Sequence, residues 1–493
     1  MRDSEKPMTF TEFTHLAQSY NVIPVSTTLL ADTLTPVSAY LRLRRDGTGS
    51  FLFESVEGGE RFGRYSFIGR DPIATLQCRE KTTTITEHGI IRTSTKNFFD
   101  IISDLTSSYR QPALPDLPRF TGGLVGFIGY DAVRFIEDIP CRATEPTGAP
   151  DSILALFTSL LVFDHFKHQI TIIVNVLVDP NLDICTQYDA AISEIRVLEQ
   201  SLLTASVYQK KFRSLRDVAA ETAPEQFTSM VSRAKHYITE GDIFQVVLSQ
   251  RFSAAYSGDL FNVYRALRVI NPSPYLYYLD FENFTVIGSS PEMFLRVENG
   301  IAETYPIAGT RPRGRTDEED RRLEAELLAD EKERAEHVML VDLGRNDLGK
   351  VCVPGTVKVE QFMFIMRYSH VMHIASRVIG TMAEGKKCID ALKAAFPAGT
   401  VSGAPKIRAM EIIDELERGR RGMYAGCIGY FDFSGNMDMC IAIRTMCAYD
   451  GNIHFQAGAG IVADSDPGQE YQETLNKARA LMESLRKAEE ITV

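Results

Sequence analysis

Residues 224–250 read PEQFTSMVSRAKHYITEGDIFQVVLSQ, and this stretch contains a helix pattern and a strand pattern separated by a short break. Apolar residues recur at steps of three and four from Pro224 to Thr239, which predicts an amphipathic helix. Gly241-Asp242 ends that pattern, and the apolar run at 243–250 predicts a strand. Helical and strand-rich stretches follow one another along the chain without the regular alternation of a doubly wound sheet, so we predict an α+β fold.

The chain before this stretch is rich in strand signals. Apolar runs at 153–163 and 170–178 are separated by polar residues, which predicts a hairpin. Around residue 200 the sequence becomes polar and weakly periodic, so we place a linker at 206–225. The predicted organisation is an N-terminal part at 1–205, this linker and a C-terminal part at 226–493.

The chain after this stretch alternates irregularly between helix and strand patterns. An acidic segment at 317–340 predicts one long helix, and residues 368–380 predict a strand. A short helix is predicted at 389–396, where Pro397 ends it. The sequence from Asp466 onward predicts a final helix that runs to about residue 488.

Composition excludes several classes of protein. The chain has 493 residues and a net charge of −12, and it has no run of five basic residues, which argues against a nucleic-acid partner. Its eight cysteines include no C-x-x-C pair, so neither a zinc cluster nor a disulfide framework is predicted. The start lacks the apolar stretch of a signal peptide, and the longest apolar run is too short to span a bilayer. We expect a cytoplasmic protein without a membrane segment.

Two pairs of glutamates are spaced three residues apart in predicted helices, Glu333 with Glu336 and Glu470 with Glu473. Residues at this spacing share one helix face. Two such faces turned toward each other would offer carboxylate oxygens to a hard cation such as Mg²⁺. Glutamate pairs on helices also commonly face solvent, and spacing alone leaves both interpretations open.

Several single residues also have two interpretations. His370 and His373 form an H-x-x-H pattern, but positions three apart in a strand point to opposite faces, so they are not expected to share a zinc ion. His373 alone either belongs to the core or faces a cavity. Arg444, in a predicted apolar strand, is either half of a structural ion pair or a clamp for a carboxylate. Lys477 either forms an ordinary helix ion pair with Glu473 or completes an anion site.

The sequence Gly458-Ala459-Gly460 resembles part of a dinucleotide-binding loop but lacks its third glycine. We interpret its consecutive flexible amides instead as an anion-binding nest. The pattern favours a negatively charged ligand without identifying it.

Taken together, these segments resemble the chorismate-utilising enzymes, most closely the family of anthranilate synthase large subunits. The matching motifs are GDIFQVVLSQ at 241–250, SPE at 290–292, PIAGTRPRG at 306–314, EHVMLVDLGRND at 336–347, VMH at 371–373, PAGTVSGAPK at 397–406 and QAGAG at 456–460. So many motifs in one order over nearly the whole chain make the resemblance specific. It implies an α+β fold in which antiparallel sheets form a layered sandwich with flanking helices.

The resemblance implies that chorismate and ammonia are converted to anthranilate and pyruvate, with Mg²⁺ as cofactor. The residues that match magnesium ligands are Glu336 and Glu473, with Glu333 and Glu470 in a partly water-mediated outer set. The residues that match catalytic positions are Glu292, His373, Gln245 and Thr400. The residues that match substrate-binding positions are Thr304, Ala308, Tyr424, Arg444, Gly458, Ala459, Gly460 and Lys477. Glu292 corresponds to the general acid for the departing hydroxyl, which requires a pKa raised by a dry pocket. His373 corresponds to the histidine beside the ring, which is assigned to the step that eliminates pyruvate.

The resemblance implies that two positions distinguish this chain from other chorismate-utilising enzymes. Isochorismate and salicylate synthases carry a water-activating lysine where this chain has Gln245, and aminodeoxychorismate enzymes carry a nucleophilic lysine where it has Ala308. Glutamine cannot act as a general base and alanine cannot attack carbon, so ammonia is the expected nucleophile. The alternatives are an isochorismate or salicylate synthase and a non-catalytic amino-acid sensor on the same fold.

The resemblance also implies partners and regulation. The chain has no Gly-x-Cys-x-Gly nucleophile turn, so a separate glutamine amidotransferase subunit is expected to deliver ammonia, in a heterotetramer of two large and two small subunits. The family acts in tryptophan biosynthesis and is inhibited by L-tryptophan, which assigns a regulatory role to the N-terminal part. The residues that match the inhibitor site are Glu54, Ser55, Pro274, Tyr275 and Leu276.

Overall fold

The structure is a computed structural model that describes residues 8–55, 63–142, 148–205, 207, 210–368 and 371–491. Its helices are α1 Phe10–Leu16, α2 Pro36–Leu43, α3 Phe98–Ser108, α4 Ile184–Thr204, α5 Pro224–Thr239, α6 Phe261–Ile270, α7 Asp317–Ala329, α8 Glu331–Gly349, α9 Cys388–Ala395, α10 Lys406–Leu416 and α11 Pro467–Glu490, with 3₁₀ helices at Tyr130–Phe135 and Gly399–Val401. Its strands are β1 Val22–Leu30, β2 Ser50–Glu54, β3 Tyr65–Arg70, β4 Ala74–Arg79, β5 Thr82–Glu87, β6 Ile90–Ser94, β7 Gly123–Ile128, β8 Ser152–Phe157, β9 Ser159–Asp164, β10 Gln169–Leu177, β11 Arg213–Ser214, β12 Ala219–Ala220, β13 Gln245–Ser257, β14 Tyr275–Asp280, β15 Thr285–Ser290, β16 Met293–Glu298, β17 Ile301–Thr304, β18 Ile307–Pro312, β19 Lys358–Arg367, β20 Val371–Thr381, β21 Gly403–Ala404, β22 Cys427–Asp432, β23 Met437–Ile441, β24 Thr445–Tyr449 and β25 Asn452–Ile461.

Within these ranges the strands form two sheets, one of 13 strands and one of 12, and neighbouring strands run antiparallel. Sheet 1 has the order β1-β10-β9-β3-β2-β14-β15-β24-β25-β13-β11, with β12 and β21 also paired to β13. Sheet 2 has the order β18-β20-β17-β16-β23-β22-β7-β8-β4-β5-β6, with β19 also paired to β20.

The two sheets pack face to face across an aromatic core. Phe51 and Tyr277 of sheet 1 belong to one buried cluster with Phe127 and Tyr430 of sheet 2. Helices α2, α4, α6 and α11 cover the outer face of sheet 1, α3, α8 and α9 pack on the side of sheet 2, and α10 packs against β13 and β21 of sheet 1. The predicted α+β class, with a layered sandwich of antiparallel sheets and flanking helices, is confirmed.

Both sheets contain strands from either side of the predicted linker. In sheet 1, β2 pairs with β14 from Ser50 opposite Asp280 to Glu54 opposite Leu276. In sheet 2, β7 pairs with β22. The linker region itself contributes the short strands β11 and β12 to the edge of β13. The division at 206–225 stays a prediction about separate roles, since the two parts share their sheets.

Local predictions hold where one periodic pattern decides the element. Helix α5 spans Pro224–Thr239 as predicted, and α9 and α11 agree with their predicted helices to within two residues. The hairpin is confirmed because β9 pairs with β10. However, the run at 153–163 is not one strand: the chain passes from sheet 2 to sheet 1 at Thr158, so β8 and β9 belong to different sheets.

The long acidic helix predicted at 317–340 is wrong, because the segment forms two helices, α7 and α8. Asp330 ends α7 and caps α8, since its side chain accepts hydrogen bonds from the amides of Lys332 and Glu333. An aspartate at this position satisfies amides that a helix start leaves unpaired. Among the described helices, none combines the length and the apolar character needed to cross a membrane.

Candidate active site

Two connections between the sheets carry the predicted acid and the predicted carboxylate clamp. The chain leaves sheet 1 after β15 and enters sheet 2 at β16, and Glu292 lies in this connection. It returns between β23 and β24, where Arg444 lies with a φ of +52°. The predicted strand around Arg444 is therefore interrupted, because the chain changes sheets there.

Glu292 is a buried carboxyl group at the wall of a cavity of about 450 Å³. Thr304 and Thr400 line the same cavity, whose other walls are mostly apolar. Burial raises the pKa of Glu292 to about 8, against smaller lowering effects of the Thr400 hydroxyl and the Lys477 ammonium group. A carboxyl group with this pKa is protonated at neutral pH and can act as a proton donor.

The two threonines present their hydroxyl groups differently. Thr304 donates from Oγ1 to the Phe294 carbonyl at 2.9 Å, so its proton is already engaged. Thr400 lies in the 3₁₀ helix Gly399–Val401, and its buried Oγ1 approaches the Glu292 carboxyl group without forming a regular hydrogen bond in the described part of the chain. Buried hydroxyl groups are normally hydrogen-bonded, so Thr400 retains capacity for a ligand.

Gly458 and Gly460 lie in strand β25 and not in a nest. They face Ser249 and Val247 of β13, whose amides donate to partners on the side away from β25. In such antiparallel pairs both residues direct their amides outward, so Gly458 and Gly460 turn theirs away from β13. On that side of β25, the neighbouring strand β24 pairs only as far as Phe455, so it does not cover Gly458 or Gly460. The two amides therefore face an open strand edge, whereas Ala459 between them points its amide toward β13.

The two outward positions of this edge leave little space for a side chain, and the backbone carbonyl of Leu248 makes the restriction strict at Gly458. A Cβ atom on Gly458 would lie 2.5 Å from Tyr424 Oη, and one on Gly460 would lie 2.8 Å from Gln245 Nε2. Tyr424 and Gln245 therefore pack directly against the strand. Burial raises the pKa of Tyr424 to about 12, so its phenol keeps its proton.

Two cationic side chains meet at the same edge. Lys477 of α11 donates from Nζ to the Gly458 carbonyl at 3.0 Å and forms the predicted ion pair with Glu473 at 2.6 Å. Arg444 donates from Nη1 to the Lys477 carbonyl at 2.5 Å. Burial lowers the pKa of Arg444, although Tyr424 and Glu473 raise it. No carboxylate of the described ranges lies within 4.0 Å of the guanidinium, which favours the clamp over the structural ion pair.

His373, in β20, lies near Arg444. Its Nδ1 is 2.8 Å from the Gly309 carbonyl, which can only accept, so this nitrogen carries the proton. Burial lowers the pKa of His373, the Gly309 carbonyl raises it and the Arg444 charge lowers it further. A neutral ring with its proton on Nδ1 leaves Nε2 free to accept a proton. His370, the other half of the H-x-x-H pattern, lies outside the described residues.

The glutamates of α8 and α11 approach the glycine edge from two directions. Glu336 Oε1 accepts a hydrogen bond from Gln245 Nε2 at 3.1 Å, and Gln245 packs against the Gly460 position. Glu473 is held by Lys477, which contacts Gly458. The structure therefore brings one carboxylate from each helix to the same strand edge.

The outer glutamates strengthen the negative charge of this region. Burial raises the pKa of Glu333 and Glu470, and the neighbouring Glu336 and Glu473 raise them further. A cation would relieve this repulsion, and an all-oxygen donor set fits a hard divalent ion. Within the described ranges no three His, Cys, Asp or Glu side chains form a ready-made metal cluster, and Mg²⁺ usually requires only one or two carboxylates.

Neither of the two positions predicted to distinguish this chain from lysine-bearing relatives has a titratable side chain. Gln245 begins β13, and its amide is engaged by Glu336. Ala308 of β18 is buried and pairs with Ile374, the neighbour of His373 in β20. Both positions lie next to other predicted site residues, and neither side chain can act as a base or a nucleophile.

A second cavity, of about 510 Å³, lies between the two sheets. Its lining includes all the residues predicted for the inhibitor, namely Glu54, Ser55, Pro274, Tyr275 and Leu276. Glu54 accepts hydrogen bonds from Tyr264 Oη at 2.5 Å and from Arg268 Nε at 3.0 Å. The structure therefore groups these residues in a space separate from the first cavity.

One contact of the site was not anticipated from the sequence. Tyr368 donates from its hydroxyl to the Pro291 carbonyl at 3.1 Å, and its ring lies 5.6 Å from the His373 ring. It therefore connects the residue before Glu292 with the histidine. A single tyrosine beside the VMH motif has no pattern that would have singled it out.

This fold and site define the class of protein. The sequence profile described as chorismate binding enzyme matches residues 48–483. The chain belongs to the chorismate-binding enzyme family.

Named relatives refine the comparison. Anthranilate synthase component 1 of Acetivibrio thermocellus is 49% identical over 493 residues, which cover 98% of this chain and 99% of the relative. The crystal structure of anthranilate synthase component I from Streptococcus pneumoniae has a TM-score of 0.78 at 39% identity, covering 92% of this chain and 99% of that one. The menaquinone-specific isochorismate synthase from Escherichia coli has a TM-score of 0.72 at 19% identity, covering 96% and 99%, and shares the fold. The resemblance to anthranilate synthase large subunits is confirmed, and the chain is an enzyme of this family.

Proposed function

We propose that this chain is the large subunit of an anthranilate synthase, which converts chorismate and ammonia into anthranilate, pyruvate and water. The observation that carries the proposal is Glu292, a buried carboxyl group with a pKa of about 8. Such a group is a proton donor suited to the loss of a hydroxyl from an anionic substrate. Gln245 and Ala308 favour ammonia over the nucleophiles that a lysine would activate or supply.

The first half of the reaction adds nitrogen to the ring. A bond forms between ammonia and ring carbon 2 while the bond from carbon 4 to its hydroxyl breaks. Glu292 donates the proton with which the hydroxyl leaves as water, and the added ammonium group then loses a proton. Burial is the reason that this carboxyl group still holds its proton at neutral pH.

The second half makes the ring aromatic. His373 Nε2 accepts the proton of ring carbon 2, the bond from carbon 3 to the enolpyruvyl oxygen breaks, and the enolpyruvyl methylene gains a proton to give pyruvate. The hydrogen bond from Nδ1 to the Gly309 carbonyl orients the ring for this step. The lowered pKa keeps His373 neutral before the transfer.

Chorismate is a dianion, and the net charge of −12 opposes its approach. Arg444 and Lys477 supply local positive charge, and the outward amides of Gly458 and Gly460 supply donors. We assign Arg444 and Tyr424 to the enolpyruvyl carboxylate, because a guanidinium and a protonated phenol are both donors. Thr400 retains a hydroxyl group for the other end of the substrate.

Glu336 and Glu473 are the residues proposed to hold Mg²⁺, with Glu333 and Glu470 acting through water. When bound, the ion supplies Lewis-acid stabilisation to the ring carboxylate. Glu336 is suited to this role because its hydrogen-bond partner Gln245 is neutral and leaves its negative charge uncompensated.

The naming of relatives as component 1 supports a second component, for which we propose a glutamine amidotransferase that delivers ammonia. We propose L-tryptophan as the ligand of the cavity between the sheets, as feedback inhibitor of the pathway that the product enters. Tyr275 offers an aromatic surface in that cavity, and Arg119 and Glu54, which are paired with Asp438 and Arg268, place charged groups in its wall.

The purified chain should form anthranilate when incubated with chorismate, MgCl₂ and an ammonium salt at alkaline pH. Anthranilate is followed by its fluorescence, and pyruvate by coupling to lactate dehydrogenase. Equal yields of both products are expected. Isochorismate without pyruvate would instead support the isochorismate synthase alternative, and tryptophan binding without turnover would support the sensor.

A further inference from the structure

A buried ion pair lies behind the candidate active site. Arg421 donates from Nη2 to Glu417 Oε1 at 2.6 Å and from Nε to Oε2 at 2.9 Å. Their side chains are only 1% and 6% exposed. Neither residue contacts the first cavity, and the reaction proposed above uses neither.

The same guanidinium reaches three segments of the site. It donates from Nη1 to the carbonyl of Val401, which follows Thr400, at 2.7 Å. It donates from Nη2 to the carbonyl of Val247, in the strand that begins at Gln245, at 2.6 Å. Its central carbon lies 5.4 Å from the centre of the Tyr424 ring.

Glu417 extends this network to the glycine edge. Its Oε1 accepts hydrogen bonds from the Ser249 amide at 2.8 Å and from Ser249 Oγ at 2.9 Å. Ser249 is the residue that faces Gly458 across the sheet. The carboxylate therefore fixes both the guanidinium and the strand beside the predicted substrate edge.

We propose that Arg421 is a positioning residue, which sets the Thr400 hydroxyl beside Glu292 and the Tyr424 ring against Gly458. The inference rests on the proposed function and names a part of the protein that serves it. A guanidinium is suited to this task because its donors form one rigid plane, so three segments are fixed by a single group. A buried ion pair is a poor source of stability compared with apolar residues, which favours a role in geometry.

The test compares two variants with the wild-type chain in the ammonium-dependent assay. The double variant Glu417→Gln/Arg421→Gln removes both charges together, so that neither is left buried alone. We expect kcat/KM for chorismate to fall at least tenfold, with a higher KM because Tyr424 is no longer held. The alkaline limb of the pH profile should move upward, because the Thr400 hydroxyl that lowers the pKa of Glu292 is released.

Arg421→Lys keeps a positive charge for the ion pair, but its donors all share one nitrogen atom and cannot reproduce the planar fork of the guanidinium. It should fold and show the same defects to a smaller degree, so the proposal stays testable if the double variant does not fold. Wild-type values of KM and an unmoved pH profile in a folded Arg421→Lys protein would overturn the proposal.

Arg44 and Asp259 form a matched control pair with bidentate hydrogen bonds outside the site. Arg44→Gln/Asp259→Asn should lower the melting temperature without changing kinetic constants or the pH profile. If this control loses activity in the same manner, the effect is general destabilisation and the proposal is overturned. An inactive wild-type chain would overturn the proposed function and this inference with it, whereas an active wild type with an unaffected Arg421 variant would overturn this inference alone.

Discussion

Glu292 and Arg444 are tied to each other's strands by main-chain hydrogen bonds. The amide of Ile441, at the end of the strand before Arg444, donates to the Glu292 carbonyl at 3.1 Å. The amide of Ser289, in the strand that precedes Glu292, donates to the Arg444 carbonyl at 3.1 Å. The backbone thus holds the predicted acid and clamp, so we expect that changing one side chain leaves the position of the other intact.

Glu292→Gln should lower kcat by roughly 10²- to 10⁴-fold, the usual contribution of a general acid. In the wild-type chain the donor is protonated below its raised pKa, so activity should fall as pH rises through about 8. This limb should be absent from the residual activity of the variant. Glu298→Gln, on the neighbouring strand β16, is the control and should keep the wild-type profile. An unchanged alkaline limb in Glu292→Gln would assign it to another group.

Gly458→Ala should impair both stability and activity, because its Cβ would lie 2.5 Å from Tyr424 Oη and 2.9 Å from the Leu248 carbonyl. Adding Tyr424→Phe removes one of these atoms and should recover part of the melting temperature. The double-mutant cycle should therefore be non-additive. Gly349→Ala, where the added methyl group meets open space, should be nearly neutral. Strictly additive effects would show that the two residues do not meet.

Arg444→Ala should weaken chorismate binding by about 1.5 to 3 kcal/mol, the range for a hydrogen bond to a charged group. Titration of the slow Glu292→Gln background with chorismate measures this loss before much substrate is converted. Arg486→Ala, an exposed arginine on α11, should leave binding unchanged. Equal affinity in both variants would remove the clamp role.

Glu336→Gln should abolish magnesium-dependent turnover, because it replaces a charged oxygen ligand by a neutral amide. Calorimetric titration with MgCl₂ should show weakened binding in this variant and unchanged binding in Glu331→Gln, at the exposed start of the same helix. EDTA should abolish anthranilate formation by the wild-type chain. Turnover that survives the chelator would contradict the metal assignment.

Ser55→Ala should relieve inhibition by L-tryptophan while uninhibited kcat stays close to wild type, because Ser55 lines only the cavity between the sheets. Dose–response curves for anthranilate formation measure the shift. Parallel loss of inhibition and of basal turnover would mean that the inhibitor cavity is wrongly placed.

The sequence predicted elements whose pattern is local. Helix α5 has one apolar face and clear ends, so its bounds were predicted correctly. The passage between sheets at Thr158 was not predictable, because apolar runs lie on both sides of Thr158-Ser159 and nothing local says which sheet takes each run. The break at Asp330 depends on a side chain turning back to helix amides, within an acidic run that reads as continuous helix.

The site was predicted unevenly for the same reason. Spacing alone left Glu336 and Glu473 open between metal binding and solvent exposure, and the family motifs supplied their assignment. The raised pKa of Glu292 is a product of burial, which requires the folded cavity. Arg421 was missed because the two carbonyl groups that it contacts come from segments 20 and 174 residues away, which only the fold brings together.

The two connections that carry Glu292 and Arg444 both cross from one sheet to the other. Buried aromatic side chains fill the gap between the two sheets, so we expect their size to affect where the connections place Glu292 and Arg444. Truncating one buried aromatic ring would let the two sheets move closer together. This movement would shift Glu292 relative to Arg444 without changing either residue. The packing of the core thus influences the geometry of an active site that it does not contact.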